Sequence, residues 1–197
     1  MWEPTKTLDS EDLLGLVVIG RTEALEEIYD RYSHPVYSLV LGLLREPAIA
    51  EEVTQEVFLR VWMRSSSFKP LSGKAKTWIL SIAHHRAIDR LRQQRPRQKE
   101  SPLEDFLEGE WQMGTEAGAV EQTAILQEES VKIQEAMKKL PEEQPQVLVL
   151  GYFRGFTQAE ISKGLNVPLG TVKTRMRLGI QKLRQSLAFM REEADEV

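Results

Sequence analysis

Apolar residues recur at intervals of three and four along most of this chain, and we find no convincing stretch of strand-like alternation. The spacing places apolar side chains on one face of an α-helix, whereas alternation would place them on one face of a sheet. Proline and glycine interrupt the pattern, so it predicts several short helices rather than one long coiled coil. The fold class is therefore predicted to be all-α.

The first half of the chain is predicted to contain four helices. Their expected ranges are residues 10–19 with Ser10 as N-cap, 22–44 kinked or broken at Pro35, 47–63, and 74–94. Serine, proline and glycine over residues 65–73 predict a loop before the last of these helices. A second helical region is predicted from about residue 121 to residue 190.

Charge is segregated along the chain, which divides it into regions. The net charge is only −4, but residues 86–99 and 166–184 are basic, and residues 103–129 carry acids without any Lys or Arg. Two small helical domains, 1–96 and 126–197, are predicted, with a flexible acidic linker over 97–125.

Cysteine is absent, which excludes disulfides, Cys-ligated zinc and thiol catalysis. The apolar runs are too short to cross a bilayer, and the first residues do not resemble a signal peptide. A cytoplasmic location is expected.

Residues 156–187 show the pattern of a helix-turn-helix. Thr157 and Glu160 are spaced as a capping box, Asn166 suits a turn position with positive φ, and Pro168 suits the first turn of the next helix. On that helix an apolar stripe runs from Val172 to Leu187, and the other side is free of acids. We predict that this helix enters the DNA major groove. The candidate contacts are Gly170, Thr171, Lys173, Thr174, Arg175, Arg177 and Gln181. An ordinary helical hairpin with a solvated basic face is the alternative.

The third predicted helix has two distinct faces. Val53, Val57 and Val61 repeat every four residues and are expected in the core. A second face groups four further residues, which are Glu52, Gln55, Glu56 and Leu59. An acidic face that includes a leucine fits a protein-docking surface, although such a face can also be merely solvated.

His84 and His85 are adjacent on the fourth helix, about 100° apart, so they do not easily face one ion. We expect His84 to pack in the core and His85 to pair with Asp89 on the surface. No metal site is predicted. Arg86, Arg90 and Arg92, together with the basic residues after them, supply the charge density that binds phosphate.

Three segments, in this order, resemble bacterial RNA polymerase sigma factors of the extracytoplasmic-function (ECF) type in the sigma-70 family. They are AEEVTQEVFLRVW (50–62), KTWILSIAHHRAIDRLR (76–92) and FTQAEISKGLNVPLGTVKTR (156–175). The resemblance implies a region 2 helical bundle, a region 4 helix-turn-helix and a protein that directs core RNA polymerase to promoters. At Asn166 the chain departs from the family, where glycine is usual.

The resemblance also implies roles for individual residues. Glu52, Gln55, Glu56 and Leu59 would contact the clamp helices of the beta-prime subunit. The loop before the fourth helix, and that helix itself, would open and read the minus-ten element of promoter DNA. Candidate contacts there are Phe68, Lys69, Lys74, Trp78, Arg86, Arg90 and Arg92, although Trp78 fits a core position equally well. The helix-turn-helix would read the minus-thirty-five element.

The segment AHHRAID (83–89) resembles the corresponding segment in the subgroup that is paired with membrane-anchored anti-sigma factors. It implies an anti-sigma partner that can hold the chain at the inner face of the membrane.

Two other classes of function were weighed. A helix-turn-helix transcriptional regulator would need a sensor domain with a ligand cavity, whereas this chain shows an acidic helix and a basic helix beside a loop. A hydrolytic enzyme using His84, His85 and Asp89 would need a nucleophile motif or a set of metal ligands, which the sequence does not show. We therefore expect no enzymatic activity, no cofactor and no small-molecule substrate.

Overall fold

A computed structural model of the chain describes residues 7–94 and 124–195. Within these ranges the regular structure is entirely helical, as predicted. The chain divides into two compact units, Met1–Leu91 and Arg92–Val197. Nearly all of the predicted linker, 97–125, lies outside the described residues, so its character and the domain boundaries at 96 and 125 remain predictions.

Over residues 7–94 the structure has four α-helices and, between the third and the fourth, two short 3₁₀ turns; the fourth helix extends three residues beyond the first unit. The helices are α1 (Ser10–Val18), α2 (Thr22–Leu44), α3 (Pro47–Arg64) and α4 (Ala75–Gln94), and the turns are Ser65–Ser67 and Pro70–Ser72. The predicted loop over 65–73 is thus partly ordered into these two turns, which lead from α3 into α4.

One local prediction in this unit was wrong, and a second, that Pro35 kinks or breaks α2, was wrong as to the break. Asp9, not Ser10, caps α1, because its carboxylate accepts the Asp12 backbone N–H at 2.8 Å, while the Ser10 hydroxyl pairs with Tyr32 at 2.8 Å. Pro35 does not break α2, which is continuous through it. Ile28 and Val36 are fully buried on either side of the proline, and this packing offsets the lost backbone hydrogen bond.

The core of the first unit is formed by all four helices, and α3 contributes the predicted valine stripe. Val53, Val57 and Val61 are at most 1% exposed, which confirms their predicted position. Burial of each side chain stabilises the fold by roughly 1.5–3 kcal/mol. The stripe fixes the rotation of α3, so that the opposite face points to solvent.

The described part of the second unit, residues 124–195, is also a helical bundle. Its α-helices are α5 (Ala124–Lys138), α6 (Glu143–Leu148), α7 (Gln158–Gly164) and α8 (Leu169–Asp195). A turn of π-helix, Val149–Phe153, follows α6 and was not predicted. Val147, Ile161 and Val172 are fully buried and join α6, α7 and α8 in one core.

Candidate nucleic-acid and protein interfaces

The solvent-facing side of α3 carries the predicted docking residues. Glu52, Gln55 and Leu59 are exposed, Leu59 to 64%, and Glu56 is half-buried. Met63 is 73% exposed one turn beyond Leu59, and the sequence analysis missed it. Its spacing of four residues from Leu59 could have predicted that it lies on the same face. We call Glu52, Gln55, Glu56, Leu59 and Met63 the docking face.

The docking face is linked by ion pairs to α4. The Arg90 Nη2 lies 2.8 Å from Glu52 Oε2, and Arg86 forms an ion pair with Glu56. The structure therefore joins two residues predicted to contact polymerase with two predicted to contact DNA. Because the partners are 38 and 30 residues apart, no local pattern could have predicted these pairs.

The α4 arginines differ in how accessible they are. Only 18% of the Arg86 side chain is exposed, and Arg86 also lies 3.6 Å from Asp89. Arg90 is 31% exposed and Arg92 is exposed in the last turn of α4. Arg90 and Arg92 are therefore more accessible to solvent than Arg86.

The segment between α3 and α4 is built around two aromatic rings. Phe68 and Trp78 are both half-buried, their ring centroids are 5.5 Å apart, and both pack against the core. Each ring therefore has a structural role, and its accessible part remains available to a base. The candidate phosphate ligands Lys69 and Lys74 are exposed beside them.

The two histidines do not occupy the predicted environments. His84 is half-buried rather than a core residue. His85 is exposed, and its Nδ1 is 2.6 Å from the Ser81 carbonyl oxygen rather than paired with Asp89. Among the described residues, no group of three or more His, Cys, Asp or Glu could hold a metal ion.

The helix-turn-helix is formed by α7 and α8, and its local signals are confirmed. The Thr157 hydroxyl accepts the Glu160 N–H at 3.2 Å, and the Glu160 carboxylate accepts the Thr157 N–H at 2.6 Å. Asn166 has φ 52°, as the turn requires. The Ser162 hydroxyl donates to the Val167 carbonyl at 2.7 Å, which ties α7 to the turn. Pro168 stands just before α8, not within its first turn, and its carbonyl accepts the N–H groups of Thr171 and Val172.

The start of α8 separates a buried face from an exposed one. Val172 and Met176 are buried, as predicted. Five of the seven candidate DNA contacts are exposed, and these are Gly170, Lys173, Thr174, Arg177 and Gln181. Thr171 and Arg175 are half-buried at the flank. Leu169, which is 40% exposed at the first position of α8, was missed by the sequence analysis.

No helix among the described residues is both long enough and apolar enough to span a bilayer.

Comparison with known proteins gives family matches over both units. The family Sigma-70 region 2 matches residues 28–97, and the family Sigma-70, region 4 matches residues 136–185. The ECF RNA polymerase sigma factor SigK of Mycobacterium sp. strain KMS is 34% identical over 187 residues, which is 94% of each chain. The protein of the same name from Mycobacterium tuberculosis strain H37Rv is 35% identical over 185 residues, covering 93% of this chain and 96% of its own.

Among solved structures, Rhodobacter sphaeroides SigE in complex with the anti-sigma ChrR is 27% identical. The match covers 91% of this chain and 98% of that one, with a TM-score of 0.43. At that score we base the assignment on the sequence relatives and not on the superposition. Identity above 30% over nearly the whole length, with both sigma regions in order, is decisive: the chain belongs to the ECF family of RNA polymerase sigma factors.

Proposed function

We propose that this chain performs the sigma-factor function through three surfaces: the docking face on α3, the segment from Phe68 into α4, and the exposed start of α8. Membership of the family establishes that the chain binds core RNA polymerase and directs initiation at promoters, without catalysis of its own. The assignment of residues to these steps is our proposal. It is carried by one observation: the same rotation of α3 that buries three valines exposes Gln55 and Leu59.

The docking face combines a leucine and a methionine with acidic and amide groups. Leu59 and Met63 are the most exposed apolar side chains of α3, and they supply an apolar centre. Glu52 and Gln55 provide polar contacts beside it. Interfaces commonly have this arrangement of an apolar centre within a polar rim. We assign this face to the clamp helices of the beta-prime subunit.

The segment from Phe68 into α4 supplies the minus-ten contacts. Lys69, Lys74, Arg90 and Arg92 would bind phosphates, and the accessible parts of Phe68 and Trp78 would stack on unpaired bases. Arg86 is assigned a structural role instead, because its ion pair with Glu56 connects α3 and α4.

The start of α8 would read the minus-thirty-five element. Lys173, Thr174 and Arg177 point to solvent from a helix whose position is set by the α7 capping box and the Asn166 turn. The exposed face carries no acid that would repel phosphate. A short basic helix presented in this way fits the major groove.

The chain is also proposed to be held inactive by an anti-sigma factor anchored in the membrane, at the inner membrane face. The segment AHHRAID of α4 supports the proposal of such a partner. In cells that are not induced, the tagged chain is expected in the membrane fraction, and recovery only in the supernatant of unstressed cells would contradict the anchored partner.

The experiment on the docking face uses the double substitution Gln55→Lys with Leu59→Asp. Both side chains are exposed, so the fold should be unchanged, while holoenzyme assembly with core RNA polymerase should be lost on a sizing column. Asp30→Lys is the control, because it alters the charge at an exposed position of α2 outside the docking face and should assemble normally. Normal assembly of the double variant would refute the docking assignment.

A further inference from the structure

The first turn of α4 lacks any acidic residue of its own. Helix N-termini carry exposed N–H donors and a partial positive charge, which acidic or hydroxyl side chains usually neutralise. Here the first turn contains no acid, and the exposed Lys74 and Lys76 add positive charge to it. The α4 N-terminus therefore needs a hydrogen-bond acceptor from elsewhere in the fold.

Glu11 in α1 supplies that group. Its Oε1 accepts the backbone N–H of Ala75 at 2.8 Å, across 64 residues of chain. Ala75 is 1% exposed and Glu11 is half-buried, so water competes poorly for this hydrogen bond. Glu11 is held in place because Leu13 and Leu14, the next apolar residues of α1, are fully buried in the core.

The capped first turn of α4 orders the segment from Phe68 to Trp78, which is proposed to contact the minus-ten element. Trp78 closes the first turn, since its N–H donates to the Lys74 carbonyl at 3.1 Å, and the Trp78 ring packs on Phe68. Fraying of this turn would release Lys74 and Trp78, and through Trp78 it would loosen the segment back to Phe68.

We propose that Glu11 is a positioning residue for promoter opening: by capping α4 from α1 it holds the segment from Phe68 to Trp78 ready to capture the unpaired minus-ten strand. The inference rests on the proposed function of that segment and extends it to a residue outside it. If the ordered form becomes less populated, the apparent affinity for the strand falls by the same factor.

The test uses the full chain assembled with core RNA polymerase, on a duplex fragment carrying one transcription start mapped from run-off transcription of genomic DNA. Opening is read from permanganate reactivity of unpaired thymines, and assembly is read from a sizing column. Glu11→Ala should lower opening by about 3- to 30-fold, the range that loss of a helix cap corresponds to. Assembly should be unchanged, because the docking face lies on α3.

Two further variants separate positioning from general stability. Glu11→Gln keeps an oxygen that can accept the Ala75 N–H, so it should restore most of the opening. Asp12→Ala removes the neighbouring acid from the same first turn of α1 and should open the promoter like wild type.

The outcomes are distinct. Wild-type opening by Glu11→Ala would overturn the inference, and so would a parallel loss of assembly and opening, because Glu11 would then act only on overall stability. Failure of Glu11→Gln to restore opening would also overturn the capping role. If the wild-type holoenzyme opens no promoter, the proposed function fails first, and the inference falls with it.

Discussion

Gly179 occupies a position in α8 where the helix lies directly against α6. A Cβ at this residue would stand 2.9 Å from Leu148 Cδ1, which is closer than side chains tolerate without movement, and 3.4 Å from Gln144 Cβ. Glycine usually weakens a helix interior, so its presence here reflects the close packing of the two helices.

Replacement of Gly179 by leucine should therefore destabilise the second unit. Overpacking of a well-packed site costs about 1–3 kcal/mol, and urea unfolding of the chain should show a loss in this range. Gly170→Ala is the control in the same helix, because nothing lies within 4 Å of a Cβ there. It should leave stability equal or raise it by up to about 1 kcal/mol. Equal stability of Gly179→Leu and wild type would show that the helices are not closely packed.

Lys173 and Arg177 are the exposed basic side chains of the first three turns of α8. Replacement of either by alanine should weaken binding to the minus-thirty-five element by roughly 1–3 kcal/mol if the residue reads a base, and by less if it contacts phosphate. Titration with holoenzyme in a mobility-shift assay measures the change.

Lys182→Ala is the matched control for these two variants. Lys182 is an exposed lysine of the same helix, about 13 Å along the axis from Lys173 and on another side. Its replacement should leave binding near the wild-type value. Equal weakening by all three variants would indicate a diffuse electrostatic effect in place of a recognition face.

At the scale of elements, the α3–α4 ion pairs connect the docking face to the basic helix. The Glu52–Arg90 pair is partly exposed, at 52% and 31%, so it contributes little to stability, at most about 1 kcal/mol. The ion pair matters for function, because Glu52 is both the partner of Arg90 and a proposed polymerase contact.

A charge exchange separates these two roles of Glu52. The double variant Glu52→Arg with Arg90→Glu can remake the ion pair in reverse, so its melting temperature should be close to that of wild type. Holoenzyme assembly should remain impaired, because the docking face then carries a positive charge. If the double variant assembles normally while Glu52→Arg alone does not, Glu52 acts only through its pair with α4.

The elements were predictable where the signal is local. The capping box at Thr157, the positive φ of Asn166 and the valine stripe of α3 each depend on residues within a few positions, and all are confirmed. Prediction failed where packing decides. Pro35 is carried within a helix by its buried neighbours, and Asp9 and Ser10 are both able to cap, so the sequence alone does not choose between them.

The candidate surfaces were predicted as faces but not as connected groups. Periodicity assigns Glu52 to a face of α3 and Arg90 to a face of α4, but only the tertiary fold brings their side chains within 2.8 Å of each other. The contact between Glu11 and Ala75 was missed for the same reason. Met63, in contrast, was predictable from the sequence. It lies four residues after Leu59 and therefore on the same face of α3, away from the valine stripe.

At the scale of the whole molecule, each unit carries its own proposed surface for the transcription machinery. The first unit holds the proposed docking face and the proposed minus-ten contacts of the segment from Phe68 into α4, and the second holds the helix-turn-helix. The segregated charge explains how a chain of net charge −4 can bind DNA, because the segment from Lys69 to Lys76 and the start of α8 carry basic residues and no acid.

The central claim is that this chain, with core RNA polymerase, selects promoters through these surfaces. The most direct measurement is run-off transcription of fragmented genomic DNA by core polymerase and the purified chain, with the starts sequenced. We expect discrete starts that share two upstream elements and that disappear with the Gln55→Lys, Leu59→Asp variant. No new starts, together with duplex DNA binding by the chain alone, would contradict it.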